Sequence, residues 1–478
     1  MLGRIFKAYD IRGTYPDLLN DIMAWQIGFG ASKFLLNDAA AGGDTTPMMR
    51  NVVVGRDMRA SSPSLTTQLI HGINDHGGDV IDLGMCDTSM IYFAVNHLDC
   101  AGGVMVTASH NPPNYNGFKI SKRKAKPVGE ATGLSDIRKH AAMIDKSAII
   151  KQTGRVEQRD LWPPYARHVR SFLEWPSGTK LKVVIDASNG MAGTMIPKIF
   201  GKGSSMEQVP GLNIIELNFD NTKNEFAHEP NPLVAANLAQ VQAAVIKEKA
   251  DLGVCFDGDA DRCVIIDEKG HAVGCDHLTA LLAKHFLAIA PGAAVVYDLR
   301  STKAVAEEIT KAGGKPVRGR VGHVFLKQAM AENNGIFGGE LSGHFYFRNN
   351  YNADSGVISM CVVLSILAKT GKHVRGMSQL IAPIARYPQS GEINFQIEDK
   401  DAALAALKKE YSVPIKGATI DELDGVTIDS FAKNGWWFNI RKSNTEPLLR
   451  LNMEAKDKAT LAKILADVSP RLGKKVDH

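Results

Sequence analysis

Three aspartates at alternate positions, Asp257, Asp259 and Asp261, follow directly on the apolar run Leu252-Gly-Val-Cys-Phe256. Carboxylates so close together repel one another unless a cation lies among them, and Mg²⁺ takes hard oxygen ligands of this kind, so the loop reads as a divalent-metal site. A solvated acidic turn is the plain alternative. An EF-hand would need a glutamate at the twelfth loop position, which is Glu268, but Arg262-Cys-Val-Ile-Ile266 reads as a strand instead of a calcium loop leading into a helix. A second segment, Val104-Met-Val-Thr-Ala-Ser-His-Asn-Pro-Pro113 through Lys119, carries an apolar strand into a turn rich in proline and polar side chains. Ser109 stands at the strand's end, where α/β sheets place reacting groups. Beside it His110 could act on a proton, Asn111 could orient a neighbour, and Lys119 could neutralise a phosphate or transfer a proton. The bland reading is a Pro-stiffened turn whose serine and asparagine cap a helix.

Two further segments supply binding groups. In Gly338-Gly-Glu-Leu-Ser-Gly-His344, small residues place Glu340, Ser342 and His344 on one bend, which suits a polyhydroxylated ligand, and Arg318-Gly-Arg-Val-Gly-His323 upstream adds cationic and imidazole groups. In Ile440-Arg-Lys-Ser-Asn-Thr-Glu-Pro447, Arg441 with Ser443, Asn444 and Thr445 makes a candidate phosphate cradle between two strands. Taken singly, each is as readily a polar turn.

The elements that must position these groups alternate. Asn51 to Asp57, Leu181 to Asp186, Asp251 to Asp257 and Ala294 to Asp298 are near-continuous apolar strands closed by Asp, as expected of strands covered on both faces. Helical stretches at Ser64 to His76, Leu233 to Lys249 and Ser301 to Ala312 lie between them, which argues for βαβ units and largely parallel sheets. After Ala382 to Gly391 the pattern changes to a strand at Ile393 to Ile397, a helix near Asp401 to Tyr411, strands at Trp436 to Ile440 and Leu448 to Met453, and a last helix from Asp457. The fold class is therefore α/β: three successive mixed-sheet, βαβ-based domains and a C-terminal α+β domain around a central cleft. Their expected bounds are 1–157 with the Ser109 loop, 158–268 with the aspartate loop, 269–384 with the Glu340 loop and 385–478 with the Arg441 loop. Residues Leu36 to Met49, rich in Gly and Thr, read as a solvated surface loop.

Composition bounds the function class. The chain has 478 residues, 44% apolar and 22% charged, and a net charge of +5, too small for a general polyanion binder. Its longest apolar stretches, such as Gly356 to Ala368, are shorter than the roughly 20 residues a bilayer span needs, and Met1 to Tyr15 lacks the apolar core of a secretory signal. Six cysteines without a Cys-x-x-Cys pair read as reduced and mostly buried, in a cytoplasmic protein.

With Lys7-Ala-Tyr-Asp-Ile-Arg-Gly13, the four segments form an ordered set that resembles, over essentially the whole chain, the α-D-phosphohexomutases and among them the bacterial phosphomannomutase/phosphoglucomutase group. The matching motifs are Thr107-Ala-Ser-His-Asn-Pro112, Asp257-Gly-Asp-Ala-Asp-Arg262, Gly339-Glu-Leu-Ser-Gly-His344 and Arg441-Lys-Ser-Asn-Thr-Glu-Pro447. The resemblance implies that Ser109 is phosphorylated at rest and that Asp257, Asp259 and Asp261, with a phosphate oxygen on Ser109, bind Mg²⁺. It also implies that Glu340 and Ser342 hold sugar hydroxyls and that Arg441, Ser443, Asn444 and Thr445 hold the non-reacting phosphate. Arg12, His110, Lys119, Arg262, His323 and His344 fall near the reacting groups, with Lys119 and His344 as the proton-transfer candidates. The implied activity is interconversion of the 1- and 6-phosphates of mannose and glucose, with Mg²⁺ and a hexose 1,6-bisphosphate as intermediate and activator. Small sugar phosphates are the expected partners, without nucleic acid or membrane, for a monomer or dimer. The alternatives are a phosphoglucosamine mutase, a Mg²⁺-dependent sugar-phosphate phosphatase and a catalytically silent sugar-phosphate sensor.

Overall fold

The computed structural model describes residues 2–43, 46–144, 154–201, 203–370, 376–412, 418–443 and 448–476. Two compact units result, Met1–Gly274 with Ser342–Gln379, and Cys275–Leu341 with Leu380–His478.

The first unit holds two sheets built around short apolar strands. In the first, Asn51–Arg56 pairs in parallel with Asp79–Met85 and Gly102–Val106, and Asp79–Met85 pairs in parallel with Val156–Gln158. Val52, Val53 and Val54 are fully buried, as an apolar run without alternation requires. Tyr115–Lys122 returns antiparallel to Gly102–Val106 and also pairs antiparallel with Ile11–Thr14. Ser109 therefore lies in the loop joining two adjacent strands, and Arg12, opposite Gly117 in the register, is close to the strand that carries Lys119. In the second sheet Leu181–Asp186 lies between parallel Leu212–Leu217 and Leu252–Phe256, and Cys263–Ile266 comes back antiparallel to Leu252–Phe256. The aspartate loop is thus a hairpin turn between paired strands, which rules out an EF-hand on topology.

One expectation fails in this unit. Residues Leu36 to Ala41 are not loop but the last turns of a 21-residue helix, Asp21–Ala41, ended at Gly42. The run Asp38-Ala-Ala-Ala41 has high helix propensity, and buried Leu35 and Ala39 anchor it to the core. This helix packs backbone to backbone against Ser62–Asp75: a Cβ on Gly72 would lie 2.0 Å from the Trp25 carbonyl oxygen. Ile27, Leu35, Leu65, Leu69 and Ile73, all fully buried, line the contact and its base on the sheet. The hairpin Phe345–Phe347 with Ala353–Asp354 and the apolar helix Gly356–Lys369 complete the unit.

In the second unit, Ala294–Asp298 pairs in parallel with Lys315–Gly319 and Phe337–Gly339, with helices Cys275–Ile289, Lys303–Lys311 and His323–Glu332 among the connections. Its six-stranded sheet is antiparallel throughout, in the order Thr419–Asp421, Val426–Asp429, Trp436–Lys442, Leu449–Ala455, Gln389–Gln396, Lys474–Val476. Trp436, Phe438, Ile440, Leu449, Leu451 and Met453 form its core with helices Lys400–Ser412 and Lys458–Val468. The three α/β sheets and the C-terminal sheet domain agree with the expected class. All six cysteines are buried and none is in a disulfide, and among the described residues no helix is long and apolar enough to cross a membrane.

Candidate active site

Ser109 is 3% exposed and sits at φ +51°, the left-handed region that a residue with a Cβ enters at a cost of about 1–2 kcal/mol. Strain of this kind persists only where surrounding bonds fix it. Its hydroxyl donates to Asp257 Oδ2 at 3.0 Å, and His110 Nδ1 lies 3.4 Å from Ser109 Oγ. The backbone N–H of Ser109 donates to Thr107 Oγ1 at 2.9 Å. Arg12 donates to Asn111 Oδ1 in the same loop and, at 2.5 Å, to Asp10 Oδ2. The structure thus brings together the first two segments, which lie far apart in sequence.

The close fit depends on Gly258: a Cβ there would lie 2.4 Å from the Ser109 carbonyl oxygen, so a side chain would push the aspartate loop off the serine loop. Asp257, Asp259 and Asp261 are all buried and each offers an oxygen within 4.8 Å of the others. Lys119 Nζ donates to Asp259 Oδ2 at 2.7 Å and Asp261 Oδ2 at 2.5 Å. Arg262 donates its Nε to Asp257 Oδ2 at 2.8 Å. Thr88, at the start of helix Thr88–His97, donates both its hydroxyl and its backbone N–H to Asp259. Even so, Asp259 Oδ1 and Asp261 Oδ1 are buried without a hydrogen-bond partner. Hard anionic oxygens left over in this way fit a divalent cation such as Mg²⁺.

Burial raises the Asp257 carboxyl well above its ordinary value, with Arg262 opposing. Burial acts in the same sense on Asp259, but Lys119 and Thr88 outweigh it and pull that carboxyl down. Burial also works against the charge on Lys119, yet Asp259 and Asp261 overcome it and hold the ammonium protonated above the lysine range. His110 is pushed well below the ordinary imidazole value by burial first and then by Arg262 and Arg12. It is neutral at pH 7.

His344, at the entrance to the Phe345–Phe347 hairpin, has Nδ1 2.8 Å from Asp354 Oδ2 and 3.9 Å from Asp261 Oδ1. Asp354 is held in turn by Ser89, whose hydroxyl donates to the Asp354 carbonyl at 2.9 Å. A carboxylate on one ring nitrogen orients the imidazole. Ser342 Oγ is buried without a hydrogen-bond partner.

The second unit carries the remaining candidates. Glu340, 2% exposed, accepts the backbone N–H of Gly322 at 3.1 Å, beside His323 at the first position of its helix. Arg441 is buried on strand Trp436–Lys442 and Ser443 follows it, donating its backbone N–H to Leu448 O at 2.9 Å. Asn444 and Thr445 lie outside the described residues. Sequence reasoning passes over Glu392, which lies 3.3 Å from Arg300, 3.1 Å from Arg441 and 3.1 Å from Arg450. It sits in a strand with no motif around it, and only the pairing of Glu392 with Asn452 places it among the arginines.

Glu392 gives a pH test. Burial opposes its charge, but Arg300, Arg441 and Arg450 outweigh burial and hold the carboxyl down at about 2 against a usual 4.5. The folded value lies below the unfolded one, so the stabilisation is complete above pH 4.5 and disappears as pH falls toward 2. Glu392→Gln is expected to lose up to ~3 kcal/mol of stability at pH 7 and almost none at pH 2. Thermal melts of both proteins across that range check it, and equal shifts in Tm at both ends would refute the ionic account.

Models of phosphoglucomutase/phosphomannomutase alpha/beta/alpha domains I, II and III match residues 3–148, 163–270 and 275–387, and that of the C-terminal domain matches 392–470. A Xanthomonas campestris pv. campestris relative named phosphohexose mutases is 39% identical over 456 residues, 95% of this chain and 96% of its own. The phosphomannomutase of Escherichia coli K12 is 36% identical over 457 residues, 94% of each chain. Among solved structures, a phosphoglucomutase/phosphomannomutase family protein from Burkholderia thailandensis superposes with a TM-score of 0.84 at 29% identity, covering 98% of this chain and 96% of its own.

Proposed function

This chain belongs to the phosphoglucomutase/phosphomannomutase family and is a phosphohexomutase, and from that premise we propose that it interconverts the 1- and 6-phosphates of mannose and glucose through phosphorylated Ser109. The observation that carries the reading is a strained, buried serine hydroxyl 3.0 Å from Asp257 beside two buried aspartates with unsatisfied oxygens.

Asp257, Asp259 and Asp261, with an oxygen of the phosphate on Ser109, would hold Mg²⁺, which supplies charge neutralisation at the transferring phosphoryl group. Transfer breaks the P–O bond to Ser109 Oγ and makes one to a sugar hydroxyl oxygen. The hydroxyl's proton goes to the His344 imidazole, set by Asp354, while Lys119 gives a proton to Ser109 Oγ as it leaves, and both protons return in the second half-reaction. Lys119 and Arg262, both held charged, neutralise phosphoryl oxygens, and Arg12 stabilises the serine loop through Asn111. Neutral His110 orients Ser109 Oγ.

The product of the first transfer is a hexose 1,6-bisphosphate, which has to turn end for end before its other phosphate goes back to Ser109. Turning exchanges O3 and O4, so Glu340 and Ser342, reading those hydroxyls, serve both orientations. Arg441, Ser443, Asn444 and Thr445 would hold whichever phosphate is not reacting, with His323 nearby. Glucose and mannose differ at C2, away from O3 and O4, so both are accepted.

The test is kcat/KM for mannose 1-phosphate, glucose 1-phosphate and glucosamine 1-phosphate with Mg²⁺ and catalytic glucose 1,6-bisphosphate. Turnover of the first two, with glucosamine 1-phosphate at least about tenfold poorer, is the expected result. Preference for glucosamine 1-phosphate would make the chain a phosphoglucosamine mutase, and steady release of inorganic phosphate would make it a phosphatase.

A further inference from the structure

Arg59 belongs to none of the motifs above, yet it is 1% exposed and lies directly beneath the Ser109 loop. A guanidinium has five N–H donors. In Arg59 all five are used: Nε to Asp57 Oδ2 at 2.9 Å, Nη1 to the carbonyls of Pro112 at 2.6 Å and Tyr115 at 3.0 Å, and Nη2 to those of Ser109 and Asn111, both at 2.8 Å. None remains for a substrate phosphate. Phe226 covers the guanidinium, 5.0 Å from its carbon, and closes it off further.

Asp57 is the second half of the device. It accepts from the backbone N–H and Nε of Arg59, from Ser62 Oγ at 2.6 Å and from Thr107 Oγ1 at 2.8 Å. Thr107 Oγ1 in turn accepts the Ser109 N–H. The N–H of Ser109, through Thr107, and its C=O, through Arg59, therefore both lead back to one buried ion pair. Fixing the groups on either side of an α-carbon fixes φ and ψ between them, and here the φ so fixed is the strained +51°.

We propose that Arg59, buttressed by Asp57, is a positioning residue for phosphoryl transfer: it sets the left-handed backbone that aims Ser109 Oγ at the aspartate loop. The role rests on the reading that Ser109 carries the phosphoryl group. Asp57 neutralises Arg59 at 2.9 Å, so its contribution is geometric, and a second cation of the same charge cannot replace it.

Arg59→Lys keeps the buried charge but cannot reach four carbonyls and a carboxylate from one ammonium. Single-turnover transfer from glucose 1,6-bisphosphate to dephosphorylated Ser109, followed by intact mass, is expected to slow by ~10²-fold, and kcat to fall with it. KM for glucose 1-phosphate and Kd for Mg²⁺ by calorimetry should stay within about threefold of the parent protein, because their ligands lie elsewhere. Transfer at the parent rate, or a raised KM with kcat unchanged, overturns the proposal. Should Arg59→Lys fail to fold, Thr107→Val cuts the other arm and keeps the ion pair. It is expected to slow the same step about tenfold, the equivalent of one buried hydrogen bond, and an unchanged rate there overturns the proposal equally. Failure of the parent reading looks different: unsubstituted protein would then never take phosphate on Ser109.

Discussion

Ser109→Ala is expected to lower kcat by roughly 10⁴- to 10⁶-fold, the range seen when a covalent nucleophile is removed. The fold should survive. The lost hydroxyl has a hydrogen bond to Asp257 and a longer one with His110 Nδ1, and Asp257 still accepts from the Arg262 backbone through its other oxygen and from Arg262 Nε through Oδ2, so the penalty is about 1–2 kcal/mol. Alanine and serine meet the same steric cost at φ +51°, so the backbone has no new reason to move. Three measurements separate the outcomes: kcat, Tm, and the mass of the protein after incubation with glucose 1,6-bisphosphate. The variant should gain no phosphate and keep its Tm within a few degrees. Turnover near the parent rate would remove the phosphoserine mechanism outright.

Removing a proposed metal ligand should be nearly as severe. Asp259→Asn is expected to lower kcat/KM by ~10³-fold, about 4 kcal/mol of transition-state stabilisation, and to weaken Mg²⁺ binding by at least ~10²-fold. The argument is electrostatic. Asp259 accepts from Lys119 and Thr88 through one oxygen and has a second, buried oxygen with no partner, so the amide would put an N–H₂ or a neutral carbonyl where a charged ligand is required. Lys119 would lose one of its two carboxylates, leaving Asp261. In the unsubstituted protein, EDTA should abolish turnover and added Mg²⁺ restore it. Full activity after chelation would show that the aspartates serve only to hold Lys119 and Arg262.

How far the sequence discloses this molecule depends on whether a signal is local. Asp257, Asp259 and Asp261 announce themselves because three carboxylates in one turn have little other reason to coexist, and the strands at 181–186 and 294–298 because unbroken Val and Ile runs suit only a covered sheet. The helix Asp21–Ala41 is harder to see: it is apolar on most sides, so it shows little 3.6-residue period, and the Gly and Thr after Ala41 suggest a loop that begins earlier. Strands Thr419–Asp421 and Val426–Asp429 are too short to show alternation and are held by their pairing. Arg59 and Glu392 are invisible for a different reason. Their partners are carbonyls of residues 109–115 in one case and arginines on three strands or loops in the other, and those contacts exist only after folding. Arg56-Asp-Met-Arg59 at the end of a buried strand was the one clue to the first.

The serine and aspartate loops meet backbone to backbone at Gly258, so the proposed nucleophile and metal ligands are assembled before any sugar arrives. An enzyme built this way carries a standing hazard, because a ready phosphoryl donor will use water when no better acceptor is present. Each such event would empty Ser109 and idle the molecule until a bisphosphate refilled it. Seen so, the 3% exposure of Ser109 is more than a packing detail. On the proposed phosphoserine mechanism, that burial would guard the phosphoryl group between turnovers, and the lifetime of the phosphorylated enzyme would measure how well the loop keeps water out.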